Sequence, residues 1–287
     1  MSLDYAAFLE QAANFISPDS VVDIAVPGLP GDGLKAGLYA PEGPPAAVLI
    51  FHHGGGASRA GYGGLADALR RAVAVTVVLP DLRGHGDSPG RRGFAPTPET
   101  VWSDIDAVVA WARERWPDAA VFVGGHSSGG GLSVNWAARR PAGAADLAGV
   151  VLLAPMLSGG NSAFAKARPW VFLAYLLSGR RMMTRTAAVR FAYPPGMAAD
   201  RGLVKAYSPG MAMAVTPRGA GPLLARITAP ILLLAAAKDE LFPPAALRAV
   251  VGPTPVQVVA GGHLTCLLPA AAPIAAFLRA RLARLRR

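Results

Sequence analysis

Short runs of apolar, β-favouring residues recur along the chain. Each gives way to a glycine-rich or polar turn and then to a helical pattern. "AAVLIFHH" leads into "GGGASRAGY" and on to "GGLADALRRA", and "VAVTVVLPD" leads into "LRGHGDSPG". "TPETVWSDIDAVVAWARERW" reads as a helix, with Thr97 as N-cap, Pro98 at the first helical position, and Val101, Ile105, Val108 and Ala112 on one face. "AVFVGG" is the next strand and "GLSVNWAARR" the next helix, followed by "AGVVLLAPM", a long irregular stretch, "APILLLAAAKDE" and "TPVQVVAGGH". Near-continuous apolar strands alternating with helices predict an α/β fold, with a mostly parallel central sheet covered by helices on both faces. There is no internal repeat.

Residues 157–222 break the rhythm. They contain no clear strand, and their helical patterns are interrupted by Pro and Gly in "RPWVFLAYLLSGRRMM", "YPPGM" and "SPGMAMAV". A long insertion rich in leucine, methionine and aromatics is expected to be a helical lid, set between a first part of the core (1–156) and a second (223–287).

Composition adds limits. Hydrophobic residues make up 52% of the 287 and charged ones 16%, enough for a sizeable core. No uncharged apolar run approaches the ~20 residues of a membrane span. The start, "MSLDYAAFLEQAANF", has an early acid and no basic stretch before an apolar one, so no secretory signal is expected. With a single cysteine, Cys266, no internal disulfide is possible, and a cytoplasmic location is expected. The formal charge is +10, but only four of the 28 basic residues are lysine, and the arginines are scattered apart from "GRRMMTR" and "RARLARLRR". Without interleaved aromatics or a recognition motif, nucleic acid is not an expected partner. Weak attraction to an anionic membrane surface stays open.

The chemistry centres on "VFVGGHSSGGGL", residues 121–132. A serine raised on a tight strand-to-helix turn needs glycine two residues before and after it. Ser127 has Gly125 and Gly129, whereas Ser128 has His126 and Gly130, so Ser127 fits as nucleophile. The backbone N–H of Ser128 then faces an oxyanion. A serine needs a base, and the base an orienting acid. Asp239 follows "PILLLAAAK" and His263 follows "VQVVAGG", both at the C-terminal ends of predicted strands, where open α/β sheets place their sites. Glu240 is a rival acid, one residue further from its strand. "HHGGGAS", residues 52–58, supplies the second oxyanion donor, the N–H of Gly55.

These motifs together resemble the α/β-hydrolase superfamily, in its monoglyceride lipase and lysophospholipase-like branch, from about Ala46 to the C-terminus. "HHGGGASRAGY" is similar to that branch's HG-x-G loop, with Tyr62 at the expected distance, and "DLRGHGDSPGRRGF" to its R-G-H-G-x-S turn. "GGHSSGG" matches the nucleophile elbow and "PILLLAAAKDELFPP" the acid-bearing strand. The chain departs from the pattern at Ala57-Ser58, where Glu-His is common, at Ser128, often methionine, and before the acid, where "AAAKD" lacks the usual glycine. The resemblance implies hydrolysis of carboxylic esters with an apolar acyl part, through Ser127, His263 and Asp239, without metal or organic cofactor. The substrate expected is a small-molecule acyl ester. Acyl transfer, thioesters, amides and carbon–carbon bonds remain alternatives for the same residues, as does a ligand-binding protein on this fold.

Other signals fit structural roles. "GYGGLA" matches a dinucleotide fingerprint, with Asp81 about 20 residues on, but no strand directly precedes it. His52 and His53 are adjacent and poorly placed to share a metal. His85 and Asp81 belong to the "RGHGDS" turn, and Cys266 is expected as a buried small side chain.

Overall fold

The described part of the chain, in a computed structural model, comprises residues 4, 6, 16–29, 33–140, 146–157, 165–198, 200 and 202–287. It opens with strands β1 (Ser20–Ile24) and β2 (Leu34–Tyr39), paired antiparallel. Then β3 (Ala47–His52), helix α1 (Gly63–Ala72), β4 (Val75–Pro80), α2 (Pro98–Arg115), β5 (Ala120–His126), α3 (Ser128–Ala137) and β6 (Gly149–Leu153) alternate. A second stretch holds β7 (Ala165–Ala167), α4 (Pro169–Leu177), β8 (Val189–Phe191), α5 (Pro195–Ala198), β9 (Ala206–Tyr207), α6 (Pro209–Val215) and α7 (Ala220–Ala225). The chain closes with β10 (Ile231–Ala236), α8 (Pro244–Val250), β11 (Val256–Val259) and α9 (Ala271–Leu285).

The main sheet has the order β1-β2-β4-β3-β5-β6-β10-β11. From β4 to β11 every neighbouring pair is parallel, and β2 joins β4 antiparallel. Side-chain alternation along β3 shows why two layers of helix are needed. Val48 and Ile50 enter one core with Val101 and Ile105 of α2 and Leu132 of α3, while Leu49 and Phe51 enter the other with Leu65 and Leu69 of α1 and Ile274 and Leu278 of α9. All six β3 residues are buried. Helix α2 begins as its sequence predicts: the Thr97 side chain accepts the Thr100 N–H, and Pro98 follows.

The inserted region departs from expectation. Its first residues, 158–164, lie outside the described part. The rest is not strandless: β7, β8 and β9 form a separate antiparallel sheet beside the helices. These strands are only two or three residues long and carry Lys166 and Arg190, so no alternation marks them in the sequence. The antiparallel pair β1 and β2 was likewise hidden among charges, Asp23 and Lys35, which pair across the ladder.

Candidate active site

The sequence between β5 and α3 folds as a sharp reversal. Ser127 has φ 54° and ψ −120°, a conformation few non-glycine residues adopt. Its N–H bonds the Leu153 carbonyl (3.0 Å), and its own carbonyl accepts the N–H groups of Gly131 (3.1 Å) and Met156 (2.9 Å), so the strain is held from three sides. The flanking glycines are required by backbone contact. A Cβ on Gly125 would lie 2.4 Å from the carbonyl carbon of Gly129, and one on Gly129 would lie 2.3 Å from the His52 oxygen. The glycine run continues into helix rather than loop, and a Cβ on Gly131 would lie 2.3 Å from the Val215 carbonyl oxygen.

Three side chains predicted from separate parts of the chain meet here. His263 Nε2 lies 2.9 Å from Ser127 Oγ, and His263 Nδ1 lies 2.9 Å from Asp239 Oδ2 and 3.1 Å from Oδ1. Ser127 is 8% exposed, and His263 and Asp239 are buried. Burial pushes the Asp239 carboxyl up. The bonds from His263 and from the backbone N–H groups of Leu241 (2.8 Å) and Phe242 (2.7 Å) outweigh burial and hold it below the ordinary carboxylate range. Glu240, the rival acid, is not among the hydrogen-bond partners of the imidazole. It accepts the His263 backbone N–H (2.7 Å) and so fixes the loop that carries the ring.

The glycine loop after β3 lies against the serine. A Cβ on Gly54 would come within 3.4 Å of Ser127 Cβ, and one on Gly55 within 3.3 Å of Ser128 Oγ. Gly54 donates its N–H to the Tyr62 hydroxyl (2.7 Å) and Gly56 donates to the Tyr207 hydroxyl (2.8 Å). Among the described residues the N–H between them, that of Gly55, has no protein acceptor. Ser128 opens α3, where an N–H has no intrahelical partner. Tyr207 belongs to the inserted region, 151 residues from Gly56, and no spacing in the sequence signals it. The Phe191 ring, also from the insertion, stands over the loop, 3.5 Å from where a Gly55 Cβ would be.

The residues given structural roles are tied into the surrounding backbone and side chains. Asp81 accepts the backbone N–H groups of Arg59 (2.7 Å) and Asp87 (3.0 Å) and pairs with the Arg59 guanidinium. His85 donates from Nδ1 to the Arg83 carbonyl (3.0 Å), and Arg83 makes a buried two-point pair with Asp104. His52 donates from Nδ1 to the Gly124 carbonyl (3.0 Å). Cys266 is buried, its thiol directed at the His263 carbonyl (3.3 Å), and burial raises its pKa. Among the described residues no three His, Cys, Asp or Glu are grouped to hold a metal, and no helix is long and apolar enough to cross a membrane.

Residues 43–259 match the family model for the serine aminopeptidases, S33. The chain belongs to that family. This S33 protein is 32% identical to the monoglyceride lipase of Rattus norvegicus over 127 residues, 44% of this chain and 41% of the rat enzyme. It thus spans about two fifths of that relative's length. It is 27% identical over 233 residues to the monoacylglycerol lipase of Mycolicibacterium smegmatis, covering 78% of this chain and 81% of that one. Its fold is that of α/β hydrolases. The monoacylglycerol lipase structure from Paleococcus ferrophilus superposes with a TM-score of 0.65 at 23% identity, over 86% of this chain and 99% of the other.

Proposed function

We propose that this protein is a serine hydrolase of carboxylic esters with an apolar acyl chain, monoacylglycerol-like or lysophospholipid-like. The observation that carries the reading is the hydrogen-bonded line Ser127–His263–Asp239. In this reading His263 Nε2 takes the Ser127 proton as Oγ attacks the ester carbonyl, and Asp239 holds the ring in the tautomer with hydrogen on Nδ1. The N–H groups of Gly55 and Ser128 receive the oxyanion. The alcohol leaves with a proton from His263, and His263 then activates water to release the acid from the acyl-enzyme. No step calls for a metal or organic cofactor.

The inserted region, 157–222, serves as the lid and acyl pocket, with each buried methylene contributing up to ~0.8 kcal/mol. Its outer face supports a lipid-surface partner. Trp170, Leu173, Leu177 and Met182 are exposed, Leu177 by 79%, and the described part of 165–190 carries Lys166, Arg168, Arg180, Arg181, Arg185 and Arg190 without an acidic residue. A cytoplasmic location accords with the single, buried thiol.

The test is hydrolysis of p-nitrophenyl esters across a chain-length series, with Ser127→Ala as control. Turnover that needs Ser127 and rises from acetate to medium or long chains is expected. Turnover confined to the shortest esters removes the acyl-pocket role of the insertion. Ser127-dependent cleavage of anilides or thioesters in preference to esters replaces the ester reading with the corresponding amide or thioester one.

A further inference from the structure

The oxyanion loop is held by two matching relays, one on each side of Gly55. On one side Tyr62 accepts the Gly54 N–H (2.7 Å) and lies 2.9 Å from His126 Nδ1, while His126 Nε2 lies 2.8 Å from the His263 carbonyl. A carbonyl only accepts, so the His126 proton is on Nε2, and Nδ1 must accept the Tyr62 O–H. On the other side Tyr207 accepts the Gly56 N–H (2.8 Å) and lies 2.9 Å from His85 Nε2, while His85 Nδ1 faces the Arg83 carbonyl (3.0 Å). The same reasoning makes Tyr207 the donor to His85. Every polar hydrogen in both relays then has one direction, and both imidazoles must stay neutral.

The relays differ in what they tie to the loop. The first runs from the glycine loop through the elbow residue His126 to the backbone of His263 itself. The second runs to the inserted region. Tyr207 sits on β9, and the neighbouring Val204 N–H bonds the Gly56 carbonyl (2.8 Å). The four aromatic side chains are buried. Gly54 and Gly56 have their N–H groups committed, and the N–H of Gly55 alone is left to face the serine. Glycine at all three positions gives a loop with no side chain to fix it, so hydroxyls from outside do so.

From this geometry we infer that Tyr62 and Tyr207 are positioning residues, which aim the Gly55 N–H at the oxyanion by clamping the residues on either side of it. The inference rests on the proposed hydrolysis. An aligned donor matters most when charge develops, so its loss falls on the transition state rather than on substrate binding.

The test uses Tyr62→Phe and Tyr207→Phe in the full chain, which remove one oxygen each and leave the rings in place. Tyr39→Phe is the control, since Tyr39 also donates from a buried position, to the Ile16 carbonyl (2.9 Å), away from the serine. Each relay variant is expected to lower kcat by roughly 10- to 100-fold, less than outright loss of an oxyanion donor, with KM changed by no more than about twofold. The Ki of an acyl trifluoromethyl ketone, which forms a tetrahedral oxyanion on serine, should rise in proportion to the fall in kcat/KM. Tyr39→Phe should lower the Tm without changing either ratio. If both relay variants keep native kcat and ketone affinity while Ser127→Ala is inactive, the positioning role is overturned and the hydrolase reading stands. The same holds if they lose Tm alone. A wild-type protein without Ser127-dependent turnover overturns both. Should one variant fail to fold, the other decides, because the two relays share no residue.

Discussion

All five histidines of the chain are buried, none more than 2% exposed. Acid is therefore expected to act on stability through four of them, His52, His53, His85 and His126, before it acts through carboxylates. Burial lowers His52 from 6.5 to about 4 and His126 from 6.5 to about 3, the second with help from its neighbour His263, and burial also lowers His53 and His85. Above pH 6.5 these rings are neutral whether the chain is folded or not. Below it the unfolded chain takes up protons that the folded chain refuses, so stability falls with pH. The slope is ~1.4 kcal/mol per pH unit for each such histidine, and it persists until the folded pKa is reached. Two units below the unfolded value, at pH 4.5, His52 and His126 together remove about 5 kcal/mol, a large part of the ~5–15 kcal/mol that holds a typical domain together. His53 and His85 add to the loss. Urea unfolding followed by circular dichroism from pH 7 down to about 4.5 measures it directly. The expected curve is level above pH 6.5 and steep below. A stability unchanged between pH 6.5 and 5 would refute the claim that these rings are held neutral, and with it the proton directions assigned to both tyrosine relays.

Three further outcomes are expected. Asp239→Asn should lower kcat by ~10⁴, because the ring loses its orienting charge, whereas Glu240→Gln, which only weakens a bond to the His263 backbone, should cost far less. Steady-state kinetics on one ester separates the two, and equal losses would reinstate Glu240 as the acid. Gly129→Ala gains ~1 kcal/mol of helix propensity but forces a methyl to 2.3 Å from one backbone oxygen and 2.6 Å from another, so the clash wins. A lower Tm together with lost turnover is expected, and a more stable active variant contradicts the elbow geometry. The protein should sediment with anionic vesicles and be released by salt, with Trp170→Ala and Leu177→Ala weakening capture. Equal binding to neutral vesicles would remove the charged part of that reading.

Much of the architecture was legible because parallel strands buried on both faces leave long apolar runs, as β3 to β6 and β10 do. The elbow was legible because close backbone packing permits only glycine at 125 and 129. Less visible was anything whose cause lies across the chain. The small sheet of β7, β8 and β9 has too few residues for a period to show. The helix containing Gly129, Gly130 and Gly131 runs against local propensity and is set by tertiary contact. Glu240 could be named as an acid, but that it holds backbone rather than ring follows only from the turn that brings Gly262 against it. Tyr207 is an ordinary aromatic in the sequence, and its place beside Gly56 follows from how the insertion folds back.

The most direct test of the central claim is to treat the protein with a fluorophosphonate and locate the adduct by peptide mass spectrometry. One adduct is expected, on Ser127, formed slowly or not at all in His263→Ala. An adduct on Ser128, or none on folded wild-type protein, would contradict it.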